Sequence, residues 1–445
     1  MAQRLQLRLQ KSRPVFRNAA DLLAVMVAIA LPWSTTAVGV LVVLWLAAAV
    51  PTLDHSKWWK NSTSLVGGLP VLLFLFATAA MFWADVSFYD RFHGLHPYFR
   101  LLMIPPLLTQ FSTSETGHRV VIGFLASCAV LLALSIATAI HPSIWRPENP
   151  GVPVKDQIVQ SAEFVICAFS LLYFAVVKWR RGQYWASGFS LVGSLIFIGD
   201  VLFVATSRTE LVAMIVLTLL LFVKLKGWKT LPIALAVVLL LSAAVWTSSS
   251  YIRGRVLHGV WEINQFELLD KPTSIGLRLE WWRKSVSFIE RAPLVGNGTG
   301  STEKLFKESA IGKSGAQSVV IRNPHNQILA IAIPLGLVGV VILLGIWITH
   351  VLLFWRDSLT AFVGLVVTAQ TIVGCVFNSH LFDFTPGWIY VWGVGVVGGM
   401  VLTDEARTVS QRAAAQVEPT SADHPGRRGV LANGLEAEGN AISRV

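Results

Sequence analysis

Three short stretches combine cations or an imidazole with helix-start signals, an arrangement suited to holding an anion and moving a proton. The first is Thr206-Ser207-Arg208-Thr209-Glu210. Ser207 with Glu210 three positions on reads as a capping box, so a helix begins here. Arg208 then falls in the first turn, where a cation opposes the helix dipole. Such a residue either snorkels to a membrane interface or joins the free amides of the helix start in an anion site. The second stretch is Gly276-Leu277-Arg278-Leu279-Glu280-Trp281-Trp282-Arg283-Lys284. Leu277, Trp281 and Phe288 fall near one helical face with charges around them, which predicts an amphipathic helix lying on a membrane surface. By pattern alone Arg278 is one of its solvated cations. Trp281 and Trp282 offer an aromatic platform for sugars or for the interface. The third is Asn323-Pro324-His325-Asn326-Gln327. Pro324 suits a helix start. A histidine beside that amide-rich end is disfavoured as imidazolium, and a neutral imidazole can act as a general base. The alternative is an interfacial histidine with a structural hydrogen bond. Pro334 should kink the same helix a few turns deeper.

Further residues carry weaker signals. Asp200 lies inside an apolar run two turns before Arg208, and intramembrane acids mark function unless an Arg pairs with them. Glu163, Arg100, His380 and Asp383 lie near the same ends of their runs. Asp85, Asp90, His93 and His96 form a loose cluster without a metal-ligand spacing, so no metal is expected there. Gly296, Gly298 and Gly300 look like a nucleotide loop, but no strand precedes them, and a tight turn after the surface helix fits better. Cys128, Cys167 and Cys375 sit in apolar runs and read as small buried hydrophobes.

The elements that must position these residues follow from composition. Of 445 residues 54% are hydrophobic and only 14% charged, against about 25% charged in a soluble domain. A soluble or disordered chain is excluded, and a multi-span membrane protein is left. Apolar runs near the length of a membrane span cover 18–33, 36–53, 64–84, 98–111, 119–140, 160–178, 185–206, 208–225, 230–248, 326–354, 358–378 and 385–402, twelve in all. The first follows a basic start and reads as a retained anchor rather than a cleaved signal. Pro105-Pro106 makes the fourth a kinked or partial span. With the N-terminus inside, Arg4, Arg8, Lys11, Arg13, Arg17, Lys57, Lys60, Arg119, Lys178, Arg180, Arg181, Lys224, Lys226, Lys229 and Arg356 all fall in inside loops, as the positive-inside rule requires. Both termini are then cytoplasmic. The segment 249–325 is a long external loop with eleven cations against seven acids. Long loops escape that rule, so its charge points to an anionic substrate or anionic lipid headgroups. The resulting division is 1–248, nine spans; 249–325, the loop; 326–403, three spans; and 404–445, a disordered cytoplasmic tail.

In these motifs the sequence resembles the O-antigen ligase and polymerase superfamily of bacterial envelope proteins. The resemblance covers roughly 190–400. Its carriers are Ser207-Arg208-Thr209, Gly276 to Trp282 running into Ala292-Pro293-Leu294-Val295-Gly296-Asn297-Gly298, and His325-Asn326-Gln327 followed by Gly336-Leu337-Val338-Gly339. The resemblance implies an all-α polytopic fold of about twelve transmembrane helices, similar to the GT-C glycosyltransferases, with amphipathic helices in a periplasmic loop. It implies an inner-membrane enzyme that moves a glycan from undecaprenyl diphosphate to lipid A-core, with no nucleotide, metal or other cofactor. The family's two arginines and one histidine fall on Arg208, Arg278 and His325. Arg100, Trp281, Trp282, Asn326, His380, Asp383 and Asp200 are the accompanying substrate-binding candidates. Expected partners are the lipid-linked donor, the lipid A-core acceptor and membrane lipids, with no nucleic acid. The external arginines lack the Arg-x10-Gly pattern of many polymerases, which favours ligase over polymerase. A protein O-oligosaccharyltransferase differs only in acceptor. A transporter should gather its ionisable residues at the midplane, whereas here they gather at the outer ends of the spans.

Overall fold

The computed structural model describes residues 2–269, 272–405 and 407, and among them every regular element is helical. Before the first candidate motif the chain forms α1 (Ala2–Ala30), α2 (Thr35–Ala49), α3 (His55–Thr63), α4 (Leu65–Ala79), α5 (Phe88–Leu95), α6 (Ile104–Phe111), α7 (Gly117–Ile140), α8 (Gln157–Arg180) and α9 (Tyr184–Phe203). Then follow α10 (Arg208–Lys226), α11 (Leu231–Ser248), α12 (Ser250–Leu269), α13 (Ser274–Arg291), α14 (Thr302–Ala310), α15 (Gln327–Phe354), α16 (Leu359–Phe377) and α17 (Phe384–Trp392). Side-chain caps fix several starts. Asp54, Asp156 and Ser358 each accept backbone N–H groups at the heads of α3, α8 and α16, satisfying donors that a helix start leaves free. The expected tail lies outside the described residues apart from 404, 405 and 407, which are helical.

Eight of these helices are long and apolar enough to cross a membrane. A ninth span arises if α3 and α4, bent by 73°, count together. The other three expected spans have visible reasons for falling short of that test. The segment around Pro105-Pro106 is a 3-10 turn, His96–Met103, followed by the eight-residue α6, with the prolines in its first turn. Arg13, Arg17 and Asp21 interrupt α1, and Arg208, Glu210, Lys224 and Lys226 crowd both ends of α10.

Hydrogen bonds gather the basic span ends. Arg180 at the end of α8 donates to the Leu225 carbonyl at the end of α10 (3.3 Å). Lys224 donates to the Trp355 carbonyl just past α15 (2.9 Å). His350, near that end of α15, meets the Val66 carbonyl at the start of α4 (2.9 Å). Asn61 in α3 reaches Thr109 (2.9 Å), and Arg17 donates to the Thr113 carbonyl (2.6 Å). The starts of α10 and α15 and the end of α16 therefore lie at the opposite end of the bundle.

α15 breaks where Pro334 predicts. Gly336 has φ 61 and ψ −161, a combination open in practice only to glycine. The glycine turn after α13 fills the break. Asn297 N–H donates to the Ile333 carbonyl (2.9 Å) and Gly298 N–H to the Pro334 carbonyl (3.0 Å). In return, Leu337 N–H donates to the Pro293 carbonyl (2.8 Å) and Val338 N–H to that of Leu294 (3.1 Å). Backbone groups freed by the kink are thus paired within the protein, as they must be away from water.

Candidate functional site

At the end of the bundle opposite the basic span ends, α10, α13 and the turn before α15 bring the three motifs together. The expected capping box does not form. Ser207 is extended at the head of α10 but makes no side-chain cap. Glu210 is fully buried and accepts from Gln370 Nε2 at 3.1 and 3.2 Å. Three residues after the cap, the helical period carries Glu210 onto the core-facing side of α10, where the amide of α16 is the available partner. Arg255 of α12 holds the turn instead, donating to the Thr206 carbonyl at 3.1 Å.

Arg208 points at α12. Its Nη1 lies 3.1 Å from Glu262 Oε2, and His258 Nδ1 lies 3.4 Å from the other oxygen of that carboxylate. Gly259 makes the approach possible, since a Cβ there would stand 3.2 Å from Arg208 Nη1. Arg278 sits one turn into α13, whose head is capped by Thr273 accepting from Gly276 N–H. Its Nη2 donates to Asn378 Oδ1 at 3.3 Å, just past α16. Burial lowers the Arg278 pKa, the Arg208 charge lowers it further, and Glu262 opposes them. Two guanidinium groups and one carboxylate therefore share one electrostatic neighbourhood.

His325 adjoins it. Burial and then the Arg278 charge hold its imidazole below the usual histidine value, so the neutral form is favoured. These causes differ from the helix dipole, to which the sequence pointed. Pro324 lies ahead of the helix, which begins at Gln327 with Asn326 as its cap. His325 is one of two non-glycine residues with positive φ among those described, at 52°. Its left-handed backbone is held by Asn323 Oδ1, which accepts the His325 N–H at 3.0 Å and the Ser379 hydroxyl at 2.6 Å. Trp281 stacks on the imidazole, centroids 5.4 Å apart, and Trp282 Nε1 donates to the Pro324 carbonyl at 3.0 Å. The tryptophan pair therefore clamps the histidine turn. The apolar face of α13 is covered by protein: Trp281 and Phe288 pack with Phe306 and Ile333.

The remaining candidates divide. Asn326 ties the turn to α16 through the Val376 carbonyl (2.8 Å). Arg100 is buried and donates to the carbonyls of Phe382, Asp383 and Phe384, so it shapes that loop. Burial pushes the Asp383 carboxyl up to about 6, with Arg100 opposing. His380 is buried, held down to about 4 by that burial, and neither ring nitrogen has a partner among the described residues. Asp200 belongs to a separate cluster. Among the described residues it pairs with no arginine but accepts the Ser135 hydroxyl at 2.6 Å, and Gln160 donates to the same Ser135 oxygen. Glu163 pairs with Lys155 at 3.6 Å. In the loose acidic cluster, Asp85 pairs with Lys304, the Asp90 carboxylate accepts from Ser87, and His93 meets Arg322 at 3.4 Å. Among the described residues no group of three or more His, Cys, Asp or Glu is placed to hold a metal ion.

Glu262, Asn323 and Asn378 were not singled out in the sequence. Glu262 had one available signal, as an acid i+4 from His258 in a loop dominated by cations. Asn323 also had one, standing in the third motif two residues before His325, the spacing of an Asx turn; Asn378 had none, since it acts between distant segments.

Residues 193–344 match the family model described as O-Antigen ligase. This bears out the resemblance read from the motifs, and Arg208, Arg278 and His325 all lie inside the matched segment. Among curated proteins the chain is similar to an uncharacterized protein of Haemophilus influenzae. The two are 24% identical over 301 residues, covering 64% of this chain and 72% of that protein.

Proposed function

We propose that this O-antigen ligase-like chain is a membrane glycosyltransferase that moves a glycan from undecaprenyl diphosphate to lipid A-core. The observation that carries the reading is the position of Arg278, within electrostatic reach of both Arg208 and His325. In the proposed reaction neutral His325 takes the proton of an acceptor hydroxyl. The hydroxyl oxygen forms a bond to the anomeric carbon, and the bond from that carbon to the phosphate oxygen breaks. The electron pair leaves with the diphosphate. Attack opposite the leaving group inverts the anomeric configuration. Arg208 and Arg278 stabilise the charge that grows on the diphosphate, and their forked donors match phosphate oxygens. The linkage is already activated, so the scheme needs neither nucleotide nor metal.

The same proposal completes the architecture. α1, the 98–111 segment and α10 join the nine spans to give twelve in a GT-C-like bundle. Both termini are cytoplasmic, and the site opens to the periplasm from the inner membrane. Convergence of the basic span ends away from the site supports this orientation. The charge of the 249–325 loop is then assigned to a lipid-linked diphosphate rather than to nucleic acid. Reconstitution with purified protein, lipid-linked glycan and lipid A-core should give product. His325→Ala should lower the rate by about a hundredfold or more, the usual worth of a general base. Arg208→Lys and Arg278→Lys should also slow transfer while retaining charge. Wild-type rates from folded His325→Ala would overturn the assignment. Loss of the gene should leave lipid A-core bare; a single glycan repeat on the core would instead favour a polymerase.

A further inference from the structure

We infer that α12 is an in-plane helix whose outward face is seated in lipid, so that the partner of this face is a membrane surface. α12 follows α11 with no loop between them. Ser249 breaks the helix, extended at φ −113 and ψ 105. Arg253 donates to the Trp246 and Thr247 carbonyls freed at that break, at 2.6 and 2.9 Å, as backbone groups away from water require. The helix then lies against the turn between α9 and α10. Arg255 reaches the Thr206 carbonyl there, and Glu262 reaches Arg208. Residues 255 and 262 span about 10 Å of helix, yet both meet the same short turn. α9 is long and apolar enough to cross a membrane, and α12 rests at its end, the level where hydrocarbon gives way to water.

The polarity of α12 is the reverse of a helix in water. Arg255 and Glu262 turn inward to the protein. Leu257, Val260, Trp261 and Leu268 each leave more than half of their surface uncovered. At the helical period Leu257, Trp261 and Leu268 form one stripe, opposite the buried Ile252 and Gly259. A helix facing water carries its charges on that outer side. Continuity identifies lipid as what covers it. α11 is a candidate span almost wholly uncovered by protein, so its exposed Leu239, Leu240 and Leu241 face hydrocarbon. The uncovered apolar surface continues through Trp246 and Tyr251 into α12. Trp246 and Trp261 have the placement of an aromatic belt, rings at the headgroup level. The surface helix that the sequence placed at α13 therefore stands one element earlier, because the apolar face of α13 is taken by Phe306 and Ile333. Trp261 and Glu262 are consecutive, so the residue that rests on lipid is joined directly to the carboxylate that holds Arg208.

The test uses the full chain in nanodiscs of phosphatidylethanolamine and phosphatidylglycerol, one copy per disc, and does not depend on the transfer reading. Spin labels are placed on Leu257→Cys and on Trp261→Cys, two variants so that loss of folding in one leaves the other. The native cysteines are buried, so the introduced thiol takes the label. Ser287→Cys on the exposed side of α13 serves as the water reference. Oxygen, which partitions into lipid, should relax both α12 labels severalfold more than a water-soluble nickel chelate does. The oxygen-to-nickel ratio should place them at the depth of about 5–10 Å usual for an interfacial helix. At Ser287→Cys the nickel chelate should relax the label more. The inference is overturned if the nickel chelate outweighs oxygen at either folded α12 variant, which would put the face in water. Exclusion of both relaxants would mean that protein covers it, and overturns the inference equally. Nickel access in single-copy discs together with dipolar broadening between labels in two-copy discs would assign the face to a second copy of this chain instead of lipid.

Discussion

His325 is held in a setting that favours a free lone pair on its ring. Burial strips water from the imidazole, and the neighbouring Arg278 opposes a second positive charge, so its pKa lies below the usual 6.5. The neutral form is lost only as pH falls through that lowered value. The acid limb of kcat/KM is therefore expected below pH 6.5, where the unperturbed ring would titrate. Arg278→Gln removes one of the two causes, so its residual activity should show the limb moved to higher pH. A limb that stays in place would mean another group titrates. Glu262 poses a second question at this scale, because its carboxylate occupies Arg208 where an anionic substrate should bind. Glu262→Gln keeps the shape and removes the competing charge. A half-exposed pair of this kind is worth about 1 kcal/mol, or about fivefold in affinity. Calorimetry with inorganic pyrophosphate should show binding tighter by about that factor. Weaker binding would mark Glu262 as the residue that positions Arg208.

Among the elements, the broken α15 and the turn that fills it set the height of the histidine turn. Gly336 has φ 61, and a Cβ there would stand 2.4 Å from the Leu294 carbonyl carbon. Gly336→Ala is expected to cost about 1–3 kcal/mol in backbone strain alone, and more from the clash. It should lower the thermal midpoint in detergent and depress transfer together. Gly39→Ala in α2 meets nothing within 4 Å, so it should match or exceed wild-type stability. Equal midpoints for the two variants would remove the role given to the break. The kink was legible because proline acts locally, through its missing N–H and fixed φ. The start of α10 falls where the capping-box pattern placed it, but the box itself does not form. Whether Glu210 turns to the helix end or to Gln370 depends on a neighbour 160 positions away. The same limit hid Asn378 and the Ser379 partner of Asn323. The site's charged residues were readable from type and spacing, whereas the contacts that orient them run largely between distant segments.

For the molecule as a whole, the two populations of positive charge make a claim about orientation. One population ends the spans: Arg180, Lys224 and Arg17 each cap carbonyls of neighbouring segments at one end of the bundle. The other lies in 249–325 and carries Arg278 at the opposite end. Short basic loops stay on the cytoplasmic side during insertion, whereas a long loop can cross despite its charge. The proposed orientation, with α13 outside, satisfies both statements. The native cysteines are all buried, so an introduced thiol can be read against a low background. Ser287 in α13 and Ser56 in α3 are both exposed. In spheroplasts, a membrane-impermeant maleimide should label Ser287→Cys at once and Ser56→Cys only after the membrane is opened. The reverse pattern would put the arginine pair and His325 on the cytoplasmic side, where a periplasmic lipid-linked glycan cannot reach them. Labelling of both thiols in sealed spheroplasts would mean that α3 and α13 share one side, and the count of spans between them would have to be even rather than odd.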